Sequence, residues 1–131
     1  MLRSSVICAA LLFAAACYWG PSLKTFEPAY GPDGIGAALQ LRDTTIAGEL
    51  LEVQDTAFIV LSDSRTVVLV PIAAIRSGTF AQRGVLLAGG AASRRALAEL
   101  RNLSRFPSGM SLEIRARLLA AYGQTEIQVA R

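Results

Sequence analysis

From Ala37 onward the chain alternates between short apolar runs and polar turns. Runs of this length and spacing are typical of β-strands. We expect strands at residues 39–42, 46–53, 57–61, 66–70 and 75–81. Pro71 has no N–H to give a ladder and therefore ends the fourth strand, and Ile72-Ala73-Ala74 predicts one helical turn. Gly48, inside the second strand, predicts a bulge or a sharp bend.

Two helices and a returning strand are predicted after the sheet. The first helix runs from its N-cap Ser93 to about Arg105, and the second, residues 112–122, follows its N-cap Ser111. Residues 125–129 then return as a terminal strand. The fold class predicted is therefore α+β, with a small antiparallel barrel or bent sheet of four or five strands and two C-terminal helices.

A single core is expected to join the sheet and both helices. Side chains alternate between the two faces of a strand, so every second apolar residue should point inward. Ile59 and Leu61 could equally face inward if the register is shifted by one. The residues expected in this core are Ile46, Leu50, Phe58, Val60, Val68, Val70, Ile75, Leu97, Leu100, Ile114 and Leu118.

The N-terminus has the pattern of a secretory signal peptide. A short start carrying Arg3 precedes an apolar stretch, residues 6–16, which ends in three alanines before Cys17. The uncharged run extends only to Trp19, fourteen residues, whereas a transmembrane helix needs roughly 20. We predict a cleaved signal peptide at residues 1–16. An uncleaved anchor, with Tyr18 and Trp19 at the membrane interface, remains the alternative.

Phe13-Ala-Ala-Ala-Cys17 resembles the lipobox of bacterial lipoprotein signal peptides. The family usually has leucine where this chain has Ala14. The resemblance implies that Cys17 is lipidated and becomes the first residue. Tyr18 replaces the aspartate of the family's inner-membrane retention signal, which implies delivery to the periplasmic face of the outer membrane if the host has one. Ala14-x-Ala16 is also a site for ordinary signal peptidase, which would leave a secreted or periplasmic protein.

A tether is predicted between the signal and the domain. Residues 17–36 contain three of the chain's five prolines and four glycines, and they show little periodicity. Such composition is typical of an extended or turning linker. The predicted organisation is a signal peptide at 1–16, a tether at 17–36 and one domain at 37–131.

The apolar spacing of the first strands resembles that of the small SH3-like and Sm-like barrels over about forty residues. That resemblance implies the shape of the sheet. The Sm family's polar RNA-binding loop is missing, because Asp55 is followed by Thr-Ala-Phe, so no RNA-contacting residue is implied. The positions that match are Ile46, Gly48, Leu50, Asp55, Phe58, Val60, Val70, Pro71 and Ile75.

Composition narrows the possible chemistry. The chain has no histidine, which excludes a histidine base, a Ser-His-Asp triad and a histidine-ligated metal. Both cysteines, Cys8 and Cys17, lie in the first apolar run, so the domain has neither a disulfide framework nor a zinc knuckle. Turn roles are expected for Asp43, Asp55 and Asp63. We predict no cofactor, no metal and no enzymatic activity.

Gly89-Gly90 ends an apolar run shortly before the first helix, an arrangement that can cradle phosphate. Neither G-x-G-x-x-G nor the P-loop pattern is present, and no β-α-β context surrounds the two glycines. A flexible connector is the favoured interpretation. An enzyme with a site in this region is a third functional hypothesis.

Charge divides the chain into two halves. Residues 17–75 carry a net charge of −4, and residues 76–117 carry +6. The basic half could meet anionic lipid headgroups or an acidic envelope protein, or it could complement the acidic half of its own molecule. The residues that would contact an anionic partner are Arg94, Arg95, Arg101, Arg105, Arg115 and Arg117.

These observations predict an exported protein, membrane-anchored in the cell envelope, that acts as a non-catalytic interaction module. The alternative is a cytoplasmic Sm-like nucleic-acid-binding module whose arginine-rich half contacts phosphates. The apolar stretch at residues 6–16 argues against that alternative, because a soluble nucleic-acid binder gains nothing from it. Nucleic acid is therefore not the expected partner.

Overall fold

The computed structural model describes residues 33–81 and 84–131. The predicted signal peptide, Cys17 and the tether up to residue 32 lie outside the described residues. The described part is an α+β domain with one mostly antiparallel, open sheet and two helices. The predicted fold class is thus confirmed in its bent-sheet form. The predicted strand number of four or five is too low, because the sheet has seven strands.

The elements follow one another in the predicted order. The strands are β1 Gly36–Gln40, β2 Thr45–Val53, β3 Ala57–Ser62, β4 Val67–Pro71, β5 Ser77–Phe80, β6 Gly84–Ala88 and β7 Gln128–Val129. The helices are α1 Arg94–Leu103 and α2 Leu112–Ala121, and a short 3₁₀ helix, Ile72–Ala74, joins β4 to β5.

The sheet order is β6-β5-β1-β2-β3-β4-β7. Strands β1 to β4 form an antiparallel meander, and β5 then returns to pair with β1 on its other side. At the opposite end β7 lies parallel to β4. This order places the β1–β2 turn beside the segment that leads into β5.

Three elements differ from the sequence prediction. Strand β1 is Gly36–Gln40 rather than residues 39–42, because the residues before Leu39 also pair with β2 and β5. Residues 84–88, read as the run before a connector, form β6 and pair with β5. The two glycines that follow favour a loop, but the run forms a strand because its backbone hydrogen-bonds to β5. The terminal strand is two residues long, at Gln128–Val129, rather than five.

A β-bulge in β2 sets which face its residues occupy. Leu50 opposes Val60, but two residues later Glu52 opposes Ile59, so Leu51 is the extra residue. The prediction that Gly48 marks a bulge was wrong in position. Gly48 instead allows a close approach, since a Cβ there would lie 2.0 Å from the carbonyl oxygen of Leu61.

The sheet is buried on both faces, so the prediction of a single core was wrong. Helix α1 covers one face and helix α2 the other. The α1 core comprises Ala37, Leu39, Leu41, Leu50, Val53, Phe58, Val60, Val68, Val70, Ile72, Ile75, Phe80, Leu97 and Leu100, with Ile46 packed against it. The α2 core comprises Leu51, Ile59, Leu61, Val67, Leu118 and Leu119.

Two of the predicted core positions, Leu118 and Ile114, therefore change. Leu118 belongs to the α2 core and never meets the α1 core cluster. Ile114 is half-buried and belongs to neither cluster. Ile59 and Leu61 do point inward, but toward the second core rather than through a shifted register. The physical reason is that alternating β-strand faces are both apolar here, and both are covered.

The helix ends agree with the predicted caps. The side-chain oxygens of Ser93 and Ser111 each accept a hydrogen bond from a backbone N–H in the first turn, at 3.1 Å. Helix α1 ends at Leu103, two residues before the predicted end. Helix α2 ends in a left-handed Gly123, after which the N–H of Gln124 donates to a carbonyl of the last turn.

The end of the predicted tether is part of the domain. Ile35 donates its N–H to the carbonyl of Leu103 and accepts from the N–H of Leu50. The N–H of Gly34 donates to a side-chain carboxylate of β2 at 2.8 Å. Residues 33–35 thus continue along β2 beyond the first residue of β1, and their backbone groups form hydrogen bonds there.

Candidate functional site

Most of the arginines predicted as anionic-partner contacts are paired with carboxylates of this molecule. Arg101 is one example. Its Nη2 donates to Asp55 Oδ1 at 2.5 Å, and its Nε donates to the carbonyl oxygen of Val53 at 3.2 Å. Asp55, which was expected to serve only the turn, therefore joins α1 to the β2–β3 turn.

Arg105 lies at the centre of a second ion-pair group. Its side chain is only 11% exposed, and its Nη2 donates to Asp33 Oδ1 at 2.6 Å. Its Nε lies 2.6 Å from Oε1 of Glu49. Burial raises the pKa of Glu49, against the opposing effects of the Gly34 N–H and the Arg105 charge. This group ties the segment before β1 to the loop between the helices.

The remaining four arginines are spread over the two helices. Arg115 Nη2 lies 3.9 Å from the buried carboxylate of Glu52, and Arg117 Nη2 pairs with Glu113 at 2.5 Å. Arg95 Nε lies 3.6 Å from Glu99. Arg94 is exposed and pairs with no carboxylate among the described residues. Arg101, Arg105 and Arg115 pair with carboxylates of residues 17–75, which favours the alternative that the basic half complements the acidic half. Arg95 and Arg117 pair within their own helices.

Glu52 has a structural role in this set. It is only 8% exposed, and its Oε2 accepts the backbone N–H of Met110 at 3.0 Å. The side-chain amide of Gln54 donates to its other oxygen at 3.3 Å. A carboxylate that is hydrogen-bonded in this way holds the loop between the helices against β2.

The three turn aspartates stand in different loops. Asp43, Asp55 and Asp63 follow β1, β2 and β3 respectively. The N–H of Asp63 donates to the carbonyl of Ala47 and so extends the β2–β3 pairing by one residue. Within residues 33–81 and 84–131, no group of three or more acidic or cysteine side chains could hold a metal ion.

Gly89 and Gly90 form a tight connector in the structure. Both have positive φ, 64° and 74°, and α1 begins only at Arg94. The N–H of Gly89 already donates to the carbonyl of Arg76 at 2.8 Å. That donor is therefore not free to cradle a phosphate. The segment is a connector, as predicted, but a tight one rather than the flexible one expected.

A cleft of about 720 Å³ lies between the start of β2 and the β7 end of the sheet. We call it the β2–β7 cleft. Its apolar residues Ile46, Val68 and Ala130 belong to the α1 core or pack against it. Its polar lining is rich in hydroxyl groups and consists of Thr44, Thr45, Ser62, Asp63, Ser64, Thr66, Gln128 and Arg131.

Strand β7 gives this cleft an open backbone edge. The N–H of Ala130 donates to the carbonyl of Leu69, so Ala130 faces β4. Backbone groups of neighbouring residues in a strand point to opposite sides, so the N–H and C=O of Val129 point away from β4. Val129 is also 55% exposed. No local pattern in the sequence predicts this site, because it forms only when the chain returns to β4 after both helices.

No protein-family profile, curated protein or solved structure matches this chain. In the part of the chain that the structure describes, no helix is both long enough and apolar enough to cross a membrane. The β2–β7 cleft is a recessed surface with an apolar floor and a hydroxyl-rich rim.

Proposed function

We propose that this protein is exported, is anchored in the cell envelope by a lipid on Cys17, and presents its α+β domain as a non-catalytic interaction module. The observation that carries the proposal is the position of Cys17. It follows directly on three alanines at the end of the apolar stretch 6–16, and the first described residue, Asp33, comes sixteen positions later.

A lipid on Cys17 would anchor the domain to a membrane. Burial of acyl chains contributes about 0.8 kcal/mol per methylene, and two chains are enough for stable attachment to a bilayer. In this proposal the tether keeps the domain at the membrane surface but free to meet a partner. A cysteine at this position is otherwise unexpected, because ordinary cleavage would leave an exported, unpaired thiol.

The β2–β7 cleft supports the interaction part of the proposal. An extended peptide can add to an exposed sheet edge through backbone hydrogen bonds, while pockets along the edge select its side chains. Here the open edge is β7, and Ile46 and Val68 offer apolar contacts beside it. The partner would accordingly be an envelope protein that presents an extended segment.

The nucleic-acid alternative receives less support from the geometry. Binding to a nucleic acid requires unpaired arginines along one surface, which neutralise the phosphates and displace their counterions. Five of the six candidate arginines instead pair with carboxylates of this chain. Anionic lipid headgroups meet the same obstacle at these residues.

Membrane fractionation of two cysteine variants tests the anchor. Cys17→Ala removes the lipidation site but keeps the Ala14-x-Ala16 cleavage site. Cys8→Ala is the matched control, since it changes the other cysteine of the same apolar run. We expect Cys17→Ala to be released from membranes or left unprocessed, and Cys8→Ala to remain membrane-bound. Equal membrane attachment of mature Cys17→Ala would refute lipid anchoring.

Disruption of the signal should produce a different defect. Val6→Asp places a charge in the apolar stretch and should impair export itself, so the protein accumulates inside the cell with an intact N-terminus. Normal export of this variant would contradict the signal-peptide assignment.

Site-specific crosslinking tests the interaction module. A photo-reactive amino acid at Val129, in the open edge of β7, is compared with the same residue at Leu112 on α2, which is 83% exposed. We expect a discrete crosslinked partner from Val129 and none from Leu112. Identical products at both positions, or none at Val129, would contradict use of the cleft.

A further inference from the structure

Three arginines that lack a carboxylate partner among the described residues line one small concavity. Ten arginines lie in the described residues, and five of them form the ion pairs above. Arg65 stacks over the ring of Tyr122 at 5.9 Å. The other four have no carboxylate within ion-pair distance among the described residues, and three of them line the same concavity: Arg42, Arg76 and Arg131.

The fold brings these three residues together from distant parts of the chain. Arg42 lies in the β1–β2 turn, and Arg76 lies between the 3₁₀ helix and β5. Pairing of β5 with β1 puts the two segments side by side, and the N–H of Arg76 donates to the carbonyl of Gln40 at 2.7 Å. Arg131 arrives from the other side, two residues after β7.

The floor of the concavity is formed by small residues. Its volume is about 440 Å³, and Ala73, Ala74, Gly89 and Gly90 line it with the arginines. A Cβ on Gly90 would lie 2.9 Å from the carbonyl oxygen of Ala73, so only glycine lets the connector close against the 3₁₀ helix. The backbone of this wall is therefore fixed by close packing rather than left as a loose loop.

Three arginines line this one concavity, and their like charges make it a favourable place for an anion. Guanidinium presents planar, paired donors that match the oxygens of a phosphate group, often in a bidentate manner. A phosphate group also carries up to two charges, which suits a site with three cations better than a single carboxylate does. The volume falls within the range of small-ligand sites, about 300–1,000 Å³.

We infer that Arg42, Arg76 and Arg131 form a binding site for a phosphate-bearing anion. We call it the arginine pocket. This inference goes beyond the proposed function. It does not depend on the lipid at Cys17, and Arg131 is the one residue of the pocket that also lines the β2–β7 cleft. The phosphate group can belong to a soluble compound or to a phospholipid headgroup near the membrane surface.

Calorimetric titration with inorganic pyrophosphate tests the site on the full-length protein at low and constant ionic strength. The variants Arg42→Gln, Arg76→Gln and Arg131→Gln each remove one guanidinium from an exposed position. Arg94→Gln is the matched control, because it removes the same charge from an exposed arginine outside the pocket. Urea midpoints of all four variants, compared with wild type, show whether the fold is retained.

We expect pyrophosphate to bind wild type, each pocket variant to raise the Kd at least about tenfold, and Arg94→Gln to change it less than about twofold. Absence of binding to wild type would overturn the inference. So would an equal loss in all four variants, which would mean that only net charge matters.

Vesicle flotation separates the two sources of phosphate. Full-length Cys17→Ala is mixed with vesicles of phosphatidylcholine alone or with added phosphatidic acid, so that attachment cannot come from its own lipid. The protein should float with vesicles that contain phosphatidic acid if the pocket binds a headgroup. In that case pyrophosphate should abolish flotation, and the Arg76→Gln substitution should abolish it as well. Pyrophosphate binding without flotation assigns the pocket to a soluble phosphate compound. Flotation that Arg76→Gln does not reduce would contradict a role for the pocket at the membrane.

Discussion

Leu51 and Glu52 are consecutive in β2, yet both lie on the α2 side of the sheet. Leu51 belongs to the α2 core, and Glu52 opposes Ile59 of that core across the bulge. The carboxylate of Glu52 accepts the N–H of Met110, and the carbonyl of Leu51 accepts the N–H of Phe106 at 2.9 Å. The bulge therefore anchors the loop between the helices, and this anchoring allows α2 to cover the face opposite α1.

Replacement of Leu118 by alanine tests the second core. Leu118 is fully buried, so Leu118→Ala should lower the free energy of unfolding by about 2–5 kcal/mol. Leu112→Ala, on the same helix but exposed, should change it by less than about 0.5 kcal/mol. Urea denaturation measures both. Similar values for the two variants would mean that α2 does not pack on the sheet.

Gly48 provides a second stability test, with Gly36 as its control. A Cβ at Gly48 would lie 2.0 Å from the carbonyl oxygen of Leu61, whereas at Gly36 the nearest atom is 3.8 Å away. Gly48→Ala must force β3 away and should cost about 3 kcal/mol. Gly36→Ala should be neutral or stabilising by up to about 1 kcal/mol. The close approach of β3 would be disproved by a Gly48→Ala protein as stable as wild type.

Loss of Arg105 should be far more costly than loss of a surface arginine. Arg105→Ala leaves the carboxylate of Glu49 without its cation in a partly buried site and should cost about 3 kcal/mol. Arg95→Ala removes a side chain that is 91% exposed and should cost less than about 0.5 kcal/mol. Thermal denaturation in parallel measures the difference. Equal melting temperatures would contradict a structural role for the Arg105 pair.

The pH dependence of the free energy of unfolding should show the contribution of Glu49. Its pKa is raised in the folded protein because burial disfavours the charged form. The folded state then holds this proton more tightly than the unfolded state, so the contribution of Glu49 falls as pH rises from about 4.5 through its folded pKa. The stability of wild type relative to Glu49→Gln should therefore decrease between pH 4 and neutrality. An increase over that range would mean that the Arg105 charge outweighs burial.

Local patterns in the sequence predict much of the fold. The apolar runs of β2, β3 and β4 are long and rich in branched side chains, so their boundaries agree with the prediction within one residue. Ser93 and Ser111 mark the helix starts, because a cap hydrogen bond involves only residues three apart.

The features that local patterns miss depend on tertiary pairing. A strand with two apolar faces gives no indication of which helix will cover which face, so the sequence predicts one core where the structure has two, and Leu118 belongs to the second. The arginine pocket is also invisible to spacing, since Arg42, Arg76 and Arg131 meet only through the β5–β1 pairing and the return of β7.

The most direct test of the central claim is mass spectrometry of the N-terminal peptide of the protein isolated from its native membranes. The account predicts a peptide that begins at Cys17 and carries the additional mass of acyl chains. A soluble protein outside the inner membrane with an unmodified Cys17 thiol would contradict lipid anchoring and indicate ordinary secretion. Membrane-bound protein that retains Met1 and Arg3 would contradict cleavage and indicate an uncleaved anchor.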